Sequence, residues 1–316
     1  MGLFSNNKKL CPICGSPTPR LLATVVDDKP LCKACAAKID LPDGALGNMS
    51  IEAFQNYLDF YEQNRPMREQ FTQTYQFSFG FFSGGILLDT DHRLLRLKYG
   101  DGAFAFTADE FACFRIYEDD RLLMEGKKGS LDLYRSEVPA ILKRMAPLVM
   151  SYLYEKREYE RLEELERMLD KDGESRSSVR RLRGEPTFNE PAPVREFSLE
   201  IQLHHPYWGS FRQKISAPVF MHDEPNLDDY KRDYEQKVTE LHTLAVNLMK
   251  ILDPSAPEHR NVGGTDDAEQ RPAQAPAQAP AQTDTVTELK RYKELLDAGV
   301  LSEEEFAAKK KQLLGI

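Results

Sequence analysis

Cys11-Pro12-Ile13-Cys14-Gly15 and Cys32-Lys33-Ala34-Cys35 decide how the start of this chain folds. The two CxxC pairs are separated by seventeen residues, within the C-x2-C, x15–20, C-x2-C spacing of a zinc site. A two-residue gap lets both sulfurs of a pair reach one ion, and Gly15 permits the tight backbone turn beneath them. Four thiolates around one divalent cation leave no open coordination position, so the expected role of Cys11, Cys14, Cys32 and Cys35 is to hold one structural Zn2+ per chain. Lys8, Lys9, Lys29 and Lys33 lie near enough in sequence to soften the net −2 charge that such a site carries. Two disulfides, or a redox pair, are the alternative uses of the same cysteines. A reducing compartment disfavours the first, and the presence of two pairs disfavours the second.

A segment of about forty residues cannot bury enough apolar surface to fold alone, so metal binding is expected to supply most of its folding free energy. Residues 1–40 then form a separate module. Losing Cys32 would unfold it and leave the rest of the chain nearly unchanged.

The chain has 316 residues and a formal net charge of −9, which argues against a global positive field for nucleic acid or anionic lipid. No apolar run approaches the roughly 18 residues needed to span a bilayer, and the first residues carry no apolar signal segment. Gly2 falls near a myristoylation pattern, but Asn6 stands where that motif wants Ser or Thr. A cytoplasmic location is expected.

After the turn residues Leu41-Pro42-Asp43-Gly44, Ser50 can cap a helix that carries Ile51, Phe54, Leu58 and Tyr61 on one face and stops near Pro66. From about Tyr75 to Lys127 the pattern becomes short antiparallel strands, with a hairpin at Thr90-Asp91-His92 and an acidic turn at Glu118-Asp119-Asp120. Residues 136–193 read as a helical insertion. Val138, Ile141, Leu142, Met145 and Val149 face a core, and Pro147 should kink the helix or begin a second one. Beyond Tyr154 the insertion is charged, and over 171–193 it is rich in Ser, Arg, Gly and Pro and expected to be flexible. Strands resume near Val194 and Gln213. A helix then covers about 227–252, with Tyr230, Tyr234, Val238, Leu241, Ala245 and Leu248 on one stripe. Residues 253–284, with their Pro-Ala-Gln repeat, read as a disordered tether before the helical last thirty residues.

Two family resemblances sharpen this picture. The cysteine pairs, the hairpin around Asp27-Asp28-Lys29-Pro30, Ile86-Leu87-Leu88-Asp89 and Tyr117-Glu118-Asp119-Asp120 resemble bacterial proteins of the DUF4428 type. That resemblance implies an α+β protein: an N-terminal four-cysteine zinc ribbon, then a central PH-like antiparallel β-barrel spanning 50–252 and closed by the helix at 227–252. The charged insertion 136–193 departs from the family. Residues 289–314 are similar along their whole length to the SHOCT, or short C-terminal, domain. Thr285 with Glu288 and Ser302 with Glu305 form capping boxes, and Gly299 suits the turn between two helices. The resemblance implies a helical hairpin over 285–316 that docks or oligomerises. Leu289, Tyr292, Leu296, Val300, Phe306 and Leu313 are its expected contact residues.

Catalytic signatures are missing: the chain has no P-loop, no GxGxxG and no GxSxG. His204 and His205, before Pro206-Tyr207-Trp208, read as a turn with packed aromatics. His222, Asp223 and Glu224 read as a solvated loop rather than a metal cluster. Arg176, Arg180, Arg181 and Arg183 form a basic run in a solvated or partner-binding loop, and Cys113 reads as core. The leading expectation is therefore a non-enzymatic adaptor or scaffold acting through a protein partner or a copy of itself. Nucleic-acid association through the ribbon and the hairpin is the second reading, and an enzyme the third.

Overall fold

A computed structural model describes residues 10–80, 84–100, 102–169 and 184–262. Met1–Gly264 makes one compact unit and Thr265–Ile316 a second, which lies outside the described residues together with the expected hairpin at 285–316.

The chain enters through a bridge between Leu10 and Pro17, inside which the Gly15 N–H donates to the Cys11 carbonyl at 2.9 Å. Gly15 sits at φ +70°, a conformation that would strain a residue with a Cβ. Strands β1 (Val25–Val26) and β2 (Lys29–Pro30) form a hairpin whose two turn residues, Asp27 and Asp28, are both left-handed. Aspartate tolerates that conformation, and the turn matches the right-handed twist of the strands it joins. The short helix α1 (Lys33–Ala36) then starts at Cys32, whose sulfur accepts from the Cys35 N–H.

Helix α2 (Ile51–Gln63) begins at Ser50, whose hydroxyl accepts from the Ala53 N–H at 3.1 Å. It buries Phe54, Tyr57, Leu58 and Tyr61, one stripe at helical spacing. Pro66 does not end the helical region as expected. It falls in the first turn of α3 (Arg65–Gln70), where its missing N–H has no intrahelical partner to lose.

Ten further strands make two sheets. Strands β3 (Tyr75–Ser78), β4 (Gly85–Asp89), β5 (Leu94–Arg96) and β6 (Phe106–Thr107) pair antiparallel in chain order. The second sheet contains β7 (Phe111–Glu118), β8 (Arg121–Lys127), β9 (Ser130–Tyr134), β10 (Glu196–Leu203), β11 (Ser210–Ser216) and β12 (Glu258–Val262). Its order is β11-β10-β7-β8-β9-β12, antiparallel throughout except for the β9–β12 pair. The expected closed barrel is not formed: among the described residues the strands stay in separate sheets.

Helix α4 (Val138–Leu169) joins β9 to β10 and passes through Pro147 as one helix. Helix α5 (Leu227–Leu252) lies across both sheets, touching β4 on one and β7, β8 and β9 on the other. It buries Tyr230, Tyr234, Leu241, Ala245 and Leu248, the expected stripe, with Val238 half-buried. At its C-terminus Arg93, left-handed in the β4–β5 turn, donates to the carbonyls of Ile251 and Leu252 at 2.8 and 2.9 Å. A cation on the last carbonyls of a helix satisfies unpaired acceptors and opposes the negative dipole end.

Two expected loops are corrected in part. Residues 184–193, read as the end of a flexible insertion, are anchored at Phe188. Phe188 is buried there between Tyr152 and Phe220, with ring centroids 5.4 and 6.0 Å away. The expected tether at 253–284 begins with β12, which pairs parallel to β9 and is held by His259 to Asp132 at 3.0 Å. In both places a few apolar or pairing side chains act on a stretch whose overall composition resembles a loop.

Candidate metal centre

Cys11, Cys14, Cys32 and Cys35 converge. Their four sulfurs all lie within 4.8 Å of one another, with Cys14–Cys32 at 3.4 Å and Cys14–Cys35 at 3.7 Å, and none is in a disulfide. A tetrahedron of sulfurs at about 2.3 Å from a zinc ion has edges of about 3.8 Å. The donor set therefore fits one soft divalent cation held by thiolates alone, as the sequence spacing predicts. Among the described residues it is the one cluster of His, Cys, Asp and Glu groups in which ligand atoms converge.

Three of the four cysteines are buried; Cys14 is exposed. Their environments differ accordingly. Burial alone would raise the Cys11 thiol, but backbone groups of Cys32, Cys14 and Ile13 directed at its sulfur outweigh that and lower it. The Ser16 hydroxyl and backbone bring Cys14 down to about 6, whereas burial and the neighbouring sulfurs push Cys35 up.

The module is not a separate bead. Its apolar residues Val26 and Leu31, with Leu41 directly after it, belong to the same buried cluster as the sheets. The join is Asp40, 4% exposed, just past the second cysteine pair. Its N–H donates to the Tyr57 hydroxyl at 2.7 Å, and that hydroxyl donates to the Lys38 carbonyl at 2.7 Å. The Asp40 carboxylate accepts from the Phe104 N–H at 2.7 Å, and its carbonyl accepts from the Trp208 indole at 3.0 Å. Lys98 stands 3.2 Å from Asp40 Oδ1, a charge contact, and lies over the Trp208 ring at 5.2 Å. Helix α2, the segment after β5 and the turn after β10 thus all grip one carboxylate residue.

His205 completes this junction. Its Nδ1 accepts from the N–H groups of Tyr207 and Trp208, and Phe60, Phe104 and Phe106 surround the ring with centroids at 5.0 Å. Burial in that cage pulls its pKa down to about 4. The turn of packed aromatics read from Pro206-Tyr207-Trp208 is what the structure contains. His222 meets the Glu190 carbonyl at 3.0 Å and joins no ligand cluster among the described residues. Cys113 is half-buried in β7, where burial raises its thiol. Leu289, Tyr292, Leu296, Val300, Phe306 and Leu313 lie outside the described residues.

Asp40, Tyr57, Phe104 and Trp208 were not legible as a set. An aspartate two residues before a proline and a lone tryptophan carry no spacing signal, and only the fold brings residues 168 positions apart together.

Against known families, residues 287–314 match the SHOCT model, the short C-terminal domain. Neither the comparison with curated proteins nor that with solved structures gives a match. Among the described residues no helix is long and apolar enough to cross a membrane.

Proposed function

We propose that this protein is a non-enzymatic zinc adaptor. Its four-cysteine ribbon presents a docking tip, its central body is a divergent PH-like unit, and its SHOCT segment binds a partner or a second copy. The observation that carries this reading is the loop between the two cysteine pairs. Leu21 and Leu22 are 84% and 103% exposed there, beside a metal site with all four positions filled by protein. Two neighbouring apolar side chains left in water suit association with a partner. The two largely antiparallel sheets spanned by α5 support the PH-like assignment, and the CPICG and LCKAC pairs support the DUF4428 kinship.

Affinity capture of the tagged full chain tests the reading. L21S/L22S should lose a bound protein, and Phe306→Asp should lose a second or lower the mass seen by light scattering, with zinc content unchanged in both. A monomer that captures nothing before and after either change overturns it. Capture of nucleic acid, abolished by salt in a gel shift, would favour the second reading.

A further inference from the structure

A cavity of about 600 Å³ opens between α2, α3 and the end of β5, lined by Lys38, Arg65, Arg68 and Arg96 with Glu62 and Glu69. Tyr61 and Phe71 form its apolar floor. The cations are arranged unequally. Glu62 is shared by two of them: Lys38 at 2.5 Å, and Arg65 on its other oxygen. The Arg96 guanidinium lies over the Phe71 ring at 4.1 Å and donates to the Arg68 carbonyl at 2.8 Å.

Arg68 is different. Its guanidinium lies 3.7 Å from the centre of the Tyr61 ring and donates once, to the Tyr61 carbonyl at 2.9 Å. No carboxylate among the described residues pairs with it, and its Nε is buried with no hydrogen-bond partner. A buried donor left without an acceptor is costly, and more so for a charged group. A planar guanidinium held on an aromatic face, with donors to spare, is pre-ordered for a two-pronged grip on an oxyanion.

We propose that this cavity binds a phosphate group, gripped by Arg68 and assisted by Lys38 and Arg65, which turn from Glu62 toward the ligand. The phosphate belongs either to a small soluble phosphomonoester or to a lipid headgroup; the recognising chemistry is the same. Glu62 acts as the internal competitor that holds the two outer cations when no anion is present. Its carboxyl, drawn down to about 2 by hydrogen bonds from Lys38 and Arg65, stays ionised across the working pH range.

The test is titration of the full-length protein at low ionic strength with glycerol phosphate, followed by calorimetry, beside co-sedimentation with vesicles of neutral lipid with or without phosphatidic acid. Saturable binding of glycerol phosphate identifies a soluble ligand; binding confined to phosphatidic acid vesicles identifies a headgroup. In either case Arg68→Gln should weaken binding about tenfold or more, the loss of one charge-assisted contact. Glu62→Gln should tighten it several-fold by releasing two cations, an effect in the opposite direction that a merely structural role would not give. Arg65→Gln, at an exposed position, serves if Arg68→Gln fails to fold, and should weaken binding a few-fold. No binding in either arm overturns the proposal. So does binding that Arg68→Gln, or Arg65→Gln in its place, leaves unchanged, or that Glu62→Gln weakens.

Discussion

The cysteine module and the sheet body reach stability by different routes. The body buries whole aromatic side chains, among them Phe104, Phe106, Phe111, Phe114 and Phe197, and its strands pair over long registers. The module has two two-residue strands, a four-residue helix and little apolar surface of its own. Its four converging sulfurs call for a metal, and it contributes Val26, Leu31 and Leu41 to a core that it does not own. A metal held by those sulfurs would be linked to core packing through shared side chains and through Asp40, and disturbing one should be felt in the other.

The largest expected effect follows from breaking the metal side. Cys32→Ser, or strong chelation, should release the module and strip the body of the apolar cover that Val26, Leu31 and Leu41 provide. Burying one such side chain is worth about 1.5–3 kcal/mol, so the body should lose at least about 3 kcal/mol, and its melting temperature should fall by roughly 6–12 °C. Calorimetry with and without chelator checks this. An unmoved body transition would restore the separate-module view to which sequence alone leads.

The separate-module view misses the shared core for an identifiable reason. The cysteine spacing is a local signal and points to the four residues whose sulfurs converge. The stripes on α2 and α5 and the β4–β5 hairpin were legible in the same way, because periodicity and turn residues act within a few positions. The Asp40 junction depends on contacts such as that of Trp208 with the Asp40 carbonyl, for which no periodic pattern exists. Strand β12 was hidden by a Pro- and Ala-rich neighbourhood, and Phe188 by the polar run before it. The expectation of a closed barrel rests on the resemblance alone. The β-pairing, which composition does not reveal, divides the strands between separate sheets instead.

A second, smaller effect probes the junction by pH. His205 is neutral in the fold, with a pKa near 4, and recovers its ordinary value near 6.5 when unfolded. Between those values the unfolded chain binds a proton that the folded chain refuses, so stability falls as pH drops from about 6.5 to 4 and levels off below. At about 1.36 kcal/mol per unit, the contribution at stake is at most about 3 kcal/mol. His205→Phe should flatten that part of the pH profile in urea unfolding. An unchanged slope would mean that other groups carry the acid sensitivity of that range. Asp89 acts below it. Its carboxyl is held low by the Thr72 and His92 N–H groups and the His92 ring against its burial, so its stabilisation is also lost as pH falls, in a more acidic range.

The smallest effect should come from Asp40→Ala, and it decides what the junction is for. The substitution leaves the Phe104 N–H buried without its acceptor and removes the charge facing Lys98, while the backbone bonds from Asp40 to Tyr57 and Trp208 can persist. The cost is about 1–3 kcal/mol, mostly the unmade Phe104 hydrogen bond. The informative quantity is the coupling with metal removal. If Asp40 transmits the state of the cysteines to the sheets, chelation of Asp40→Ala protein should lower the body's melting temperature by less than it lowers the parent's, because the two perturbations share a path. If the shared apolar cover does all of the linking, the two losses should simply add. Equal chelator-induced shifts in Asp40→Ala and parent protein would therefore assign the connection to Val26, Leu31 and Leu41, and leave Asp40 as a local clamp on Phe104.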